Sequence, residues 1–100
     1  MNNHILWVPV KKYRKKPVVV SAGRWWKAGD VPDAQIRGLD ELDGKNICRV
    51  CGNQTSLHGH CKTLESWLVV CPGDYIIRGV KGEYYPCKPD VFERTYKLLE

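Results

Sequence analysis

The residues of this sequence whose types and spacing could do chemistry lie between positions 48 and 71. Cys48-Arg-Val-Cys51-Gly52 is followed by His58, His60, Cys61 and Cys71, so four of five cysteines and two of three histidines fall within 24 residues. Two cysteines separated by two residues can point both thiolates at one ion, and the glycine after them lets the backbone turn tightly around it. Such a knuckle needs a second ligand pair, and the next twenty residues supply candidates at the spacing of a structural zinc site. Thioredoxin-like redox chemistry fits poorly, because Cys48 lacks a βαβ context and no helix start follows the motif. The plainer alternative, buried thiols beside surface histidines, has to explain why the ligand types cluster.

Choosing the second pair requires the strands that carry it. Lys62 to Leu64 and Trp67 to Val70 read as two strands around a Glu65-Ser66 turn. In that register Trp67 pairs with Leu64, Val70 with Cys61 and Cys71 with His60. Side chains alternate between faces, so His58, His60 and Cys71 share one face and Cys61 points to the other. The favoured set is therefore Cys48, Cys51, His58 and Cys71 holding Zn2+, with His60 as a substitute for His58. Cys61 becomes a small buried hydrophobe. A slip of one residue would exchange the faces and bring Cys61 in, so the fourth ligand stays open between Cys71, Cys61 and His60.

The remaining elements follow from local patterns. Val18, Val19 and Val20 after Pro17 suit a strand over 17–25, on which Trp25 and Trp26 point to opposite faces, so at most one is obligatory core. Asp30 as cap with Pro32 in the first turn opens an expected helix over Pro32 to Leu42, closed by the Asp43-Gly44 turn. Tyr75 to Val80 and Glu83 to Tyr85 form a second hairpin around Lys81-Gly82, separated from the first by Pro72-Gly73-Asp74. Asp90 and Glu93 have capping-box spacing, and Val91, Phe92, Thr95, Tyr96 and Leu99 recur at helical intervals, with Phe92 expected in the core. The expected fold is α+β and mainly β: a small antiparallel sheet or partly open barrel with a zinc knuckle and a C-terminal helix. Residues 1–12 read as an N-terminal extension, of which Trp7 suggests part docks, and residues 13–100 as a single zinc-stabilised domain.

The 100 residues suffice for one hydrophobic core and not two. No apolar run approaches the roughly 18 residues of a membrane-spanning helix, and Ile5 to Val10 is interrupted by proline and stopped by Lys11 and Lys12. No membrane partner is expected, and without an export signal five cysteines read as thiols or metal ligands in a reducing compartment. The net charge of +5 is uneven. Residues 1–27 carry Lys11, Lys12, Arg14, Lys15, Lys16, Arg24 and Lys27 with no acidic residue, whereas nine basic and eleven acidic residues share the rest. This front end, or simply a solvated strand, makes a local positive field that favours an anionic partner at Lys11, Lys12, Arg14, Lys15 and Lys16, with Trp25 and Trp26 as aromatic contacts.

The chain resembles a family of small, mostly uncharacterised bacteriophage and prophage proteins. The resemblance is carried by Tyr-Arg-Lys-Lys-Pro-Val-Val from Tyr13, Cys48xxCys51, His58-Gly59, Lys62-Thr-Leu-Glu65 and, most specifically, PGDYIIRGVKGEYYPCKPDVFERTY from Pro72. It spans over half the chain. It implies Cys48, Cys51 and His58 as metal ligands with Cys71 as a reasonable fourth, and a metal that serves stability more than chemistry. It also implies a host bacterial cytoplasm as the place of action, and it brings no assigned activity with it.

An enzyme is not expected. Cys87 beside Lys88 has no histidine near it in sequence, Asp40, Glu41 and Asp43 suit a solvated helix end, and a closed Cys-Cys-His-Cys site leaves no position for water. The expected role is a phage accessory protein that binds a host component, inhibiting or sequestering part of a host defence or host machinery. A zinc-ribbon-like nucleic-acid or nucleotide-binding protein is the rival, and a minor virion component the third reading.

Overall fold

A computed structural model describes residues 9–14, 16–38 and 46–99. Trp7, Lys15 and the segment 39–45, with its acidic cluster and the Asp43-Gly44 turn, lie outside the described residues. Among the described residues six short strands and one α-helix follow one another: β1 (Ser21–Arg24), β2 (Ile36–Gly38), β3 (Gly59–Lys62), β4 (Trp67–Val70), β5 (Tyr75–Arg78), β6 (Tyr84–Cys87) and α1 (Pro89–Thr95). The mainly β, α+β class is as expected, but the strands divide into two antiparallel three-stranded sheets, β1-β5-β6 and β2-β3-β4. β6 lies against β3 and β4, and the space between the sheets is filled by Trp25, Cys61, Val70 and Ile76, with Val31, Ala34, Ile36 and Tyr84 packed around them. No helix among the described residues is long and apolar enough to cross a membrane.

The first strand is shorter than the valine run suggests. β1 pairs only with β5, from Ser21 opposite Arg78 to Arg24 opposite Tyr75, and Val18 and Val19 remain exposed. Strand propensity without a partner to bond leaves an extended segment. Where the strand ends, Trp25 is 3% exposed and Trp26 54%, so one tryptophan is core and its neighbour is not.

Over residues 32–38 the expected helix is replaced by a turn and β2, and its remainder to Leu42 lies outside the described residues. Asp30 accepts the N–H groups of Trp26 and Lys27 at 2.9 and 3.1 Å and an ion pair from Lys27, so it closes the turn before it instead of capping a helix after it. Ile36 then pairs with Cys61 at the core, a contact that outweighs weak local helix preference.

The β3–β4 hairpin turns one residue earlier than Glu65-Ser66. The Thr63 hydroxyl accepts the N–H groups of Glu65 and Ser66, and the Thr63 N–H donates to the Ser66 carbonyl at 2.8 Å, so Leu64 and Glu65 form the turn. The register becomes Lys62 with Trp67, Cys61 with Leu68, His60 with Val69 and Gly59 with Val70. This is two residues from the expected pairing, and an even displacement leaves every side chain on its expected face. In the second hairpin, Gly79 N–H donates to the Glu83 carbonyl, leaving a three-residue loop, Val80 to Gly82.

α1 begins with Lys88 at the cap and Pro89 in the first turn, where a missing N–H costs nothing. Asp90 lies inside the helix and no side chain caps it, so the expected capping box is not formed. The helix stops at Thr95, leaving Leu98 and Leu99 exposed, and none of its residues is fully buried. Phe92 is therefore not a core anchor: it stacks on Tyr75 with centroids 3.9 Å apart and rings 10° from parallel, on the outer side of the first sheet. Phe92→Ala should cost about 2 kcal/mol, below the roughly 3 to 5 of a fully buried phenylalanine. A thermal melt should show a fall on the order of 10 °C, and an unchanged midpoint would make the stack energetically idle.

Candidate metal centre

The loop that carries the first ligand pair is a narrow hairpin held by its own backbone. Ile47 bridges Gln54, Cys48 N–H donates to the Asn53 carbonyl at 2.9 Å, and Gly52 N–H donates to the Cys48 carbonyl at 3.0 Å. Gly52 takes φ +78°, which a side chain would resist, and that reversal brings Cys51 back beside Cys48. A 3-10 turn over Thr55–Leu57 then delivers His58 to the start of β3.

The second pair comes from the sheet. Continuing the β3–β4 register by one step sets His58 opposite Cys71, so both fall on the same face just beyond the strand ends. His60, one step further in, pairs with Val69.

The ligand atoms of Cys48, Cys51, His58 and Cys71 all lie within 4.8 Å of one another. Cys48 Sγ is 4.0 Å from Cys71 Sγ, and Cys51 Sγ is 3.2 Å from His58 Nε2. A tetrahedral zinc with ordinary bond lengths requires edges of about 3.5 to 3.8 Å, so shifts of about 1 Å or less complete the polyhedron. His58 and Cys71 are buried, while Cys48 and Cys51 are half-buried. None of the five cysteines, all of them among the described residues, is in a disulfide.

The surroundings prepare the donors. His58 Nδ1 lies 3.0 Å from the Gln54 carbonyl, which can only accept, so Nδ1 carries the proton and Nε2 presents its lone pair to the cluster. The Cys48 thiol is held down to about 6, chiefly by the Cys51 N–H and then by that of Val50, whose nitrogen is 3.4 Å from the sulfur. Burial pushes Cys71 up to about 12 against the opposing effect of Lys88. A metal arriving at Cys71 must therefore displace a proton.

Cys71 itself is positioned by Asp74. That carboxylate is 2% exposed, accepts the Cys71 N–H at 2.9 Å, and receives the Lys88 ammonium on both oxygens at 3.0 and 2.9 Å. Pro72 and Gly73, the latter at φ +96°, make the turn between them, closed by Asp74 N–H to the Cys71 carbonyl. Trp25 clamps the same turn from the other sheet, donating to the Asp74 carbonyl and accepting from Gly73 N–H.

The four favoured ligands thus converge, while Cys61, 0% exposed, sits in the core and His60 stays outside the cluster. Among the residues expected to meet an anionic partner, Lys11, Lys12, Arg14 and Lys16 are exposed. Trp26 is exposed too, with the Arg24 guanidinium 4.8 Å from its ring centre. Trp25 is withdrawn from that group, because its indole fills the space between the sheets. Sequence reasoning missed Asp74 and Lys88 as supports; the only hint was an aspartate closing a Pro-Gly turn directly after a candidate ligand. Four protein donors fill a tetrahedral shell, which suits a structural ion and leaves no position for substrate. No protein-family model, curated protein or solved structure matches the chain.

Proposed function

We propose that this chain is a non-enzymatic binding module whose rigid body is stapled by one zinc ion, a phage or prophage accessory protein acting on a host component in the host bacterial cytoplasm. The observation that carries the reading is the closed set Cys48, Cys51, His58 and Cys71, with a buried carboxylate and an oriented imidazole behind it. Three thiolates and one imidazole favour zinc over harder cations, which prefer oxygen ligands. The phage assignment rests on the resemblance of the segments from Tyr13 and Pro72. A nucleophilic role for Cys87 gains nothing from Lys88, whose ammonium is engaged by Asp74.

Elemental analysis of protein purified without chelator should find about one zinc per chain. Cys61→Ser should keep that zinc while losing stability, since a hydroxyl replaces a thiol in the apolar core. Metal-free protein, or zinc lost on Cys61→Ser in a chain that remains folded, would overturn the ligand assignment. Affinity capture from host lysate, with and without nuclease, then separates a protein partner from a nucleic acid.

A further inference from the structure

We infer that the outward face of the β2-β3-β4 sheet is a binding platform for single-stranded nucleic acid, a proposal that rests on the binding-module reading and names its partner class. The register decides which residues stand there. Ile36, Gly59, Cys61, Leu68 and Val70 take the positions turned to the other sheet, which leaves Arg37, His60, Lys62, Trp67 and Val69 on the opposite face. Arg37 and Lys62 are exposed, Val69 is 50% exposed, and Trp67 and His60 are half-buried. No acidic residue occupies an outward position on these three strands.

The arrangement is more specific than a basic patch. The Arg37 guanidinium lies 4.1 Å from the Trp67 ring centre and the Lys62 ammonium 5.5 Å from it, so one aromatic surface is flanked by two permanent cations. A base can stack on the indole or on the outer plane of the guanidinium, while Lys62 and Arg37 neutralise the phosphates on either side. Unpaired bases offer free π-faces that a duplex keeps inside its stack, so the platform selects single strands. His58 and Cys71 belong to the same face, which puts the metal loop at one end of the platform, where it stiffens the strands that display Trp67. Lys11, Lys12, Arg14 and Lys16 are exposed as well and add to the positive charge that draws a polyanion. A folded acidic protein would meet the same cations, but it lacks the series of planar rings that a half-buried tryptophan between two cations accommodates.

Zinc-loaded protein should be titrated into fluorescein-labelled 12-nucleotide single strands of DNA and of RNA, and into the corresponding duplex, with fluorescence anisotropy as readout. The single strands should bind more tightly than the duplex, and Trp67→Ala should weaken them about 5- to 100-fold, the loss of one stacked base. The double variant Arg37→Gln/Lys62→Gln, two exposed positions whose change spares the core, should reduce the salt slope by about 1.4. Val80→Ala, at an exposed position in the β5–β6 loop, should leave binding unchanged. If Trp67→Ala fails to fold, the double variant and quenching of tryptophan emission by unlabelled strands carry the test. Equal binding of duplex and single strands with no effect of Trp67→Ala or of the double variant overturns the platform. So does absence of binding, or capture of a nuclease-resistant host protein through Trp26 instead. Zinc content measured on the same sample keeps the two readings apart: one zinc without oligonucleotide binding sinks this inference alone, and binding by metal-free protein sinks the metal reading alone.

Discussion

Stripping the zinc is expected to unfold the second sheet and the loop over residues 46–58, and with them much of the chain's cooperative stability. Zinc binding in small metal-dependent domains is worth about 10 to 16 kcal/mol in apparent free energy at neutral pH. A domain of this size has a total stability of only about 5 to 15 kcal/mol, so even half the zinc term matches the margin. The proposed ion would join two segments: a hairpin loop whose backbone hydrogen bonds are its own, and the ends of β3 and β4. Without it, Cys48 carries a thiolate beside the buried Cys71 thiol and His58, and nothing apolar replaces the lost bonds. Addition of a strong chelator should therefore lower the thermal midpoint by more than about 20 °C. Cys71→Ser should do the same at once, because its sulfur is buried where the sheets meet the loop. Cys48→Ser, in the more exposed half of the site, should release the metal and show the fall that the chelator produces. The measurement is circular dichroism with parallel metal analysis, and an unchanged melt in protein shown to be metal-free would remove the ion from the stability of the fold.

Asp74→Ala is expected to be the most damaging substitution outside the ligands themselves. It removes the carboxylate that accepts the Cys71 N–H and holds Lys88 on both oxygens, leaving only the backbone bond from Asp74 N–H to the Cys71 carbonyl across the Pro72-Gly73 turn. Breaking a buried pair costs about 3 to 5 kcal/mol, and the figure is discounted here because the Lys88 side chain is 39% exposed and can return to water. About 2 to 4 kcal/mol remains, a fall in thermal midpoint on the order of 10 to 25 °C. Zinc affinity should also drop about 10- to 100-fold, as it does when groups behind metal ligands are lost. Asp74→Asn keeps an acceptor for the Cys71 N–H and loses the charge, so it should lie between wild type and alanine. Urea unfolding and competition with a chromophoric chelator read the two effects separately. Wild-type values for both in Asp74→Ala would show that the Cys71 turn is held by Trp25 alone.

The places where reasoning along the chain failed share one cause: an element's length and end depend on its neighbour. Val18 to Val20 have strand propensity, yet β1 extends only as far as β5 offers partners, and β5 is bounded by the turn at Gly73 and the loop after Arg78. The segment after Asp30 has helix signals, yet the aspartate is drawn back to Trp26 and Lys27, and Ile36 is drawn to Cys61. Phe92 lies on the expected helix but not in the core, because periodicity identifies the buried side of a helix and not the depth of the groove beneath it.

The metal site was legible for a different reason. Ligand identity is written in residue type and short spacing, and Cys48 with Cys51 needs only a tight turn and the glycine that follows. The choice of His58 and Cys71 over His60 and Cys61 depended on face parity, which survives any even error in register, so a turn displaced by one residue still led to the right side of the sheet. What residue types and spacing determined was therefore the mainly β class, the Cys48 and Cys51 pair with His58 and Cys71 as favoured companions, and the rule that at most one tryptophan of two is obligatory core. Only the tertiary structure decided that the strands divide into two sheets, that Trp25 is the buried one, that Asp74 and Lys88 support Cys71, and that Arg37, Lys62 and Trp67 meet on one face. Those contacts join residues distant along the chain, and such pairings are selected by the packing of the whole core, which no local window contains.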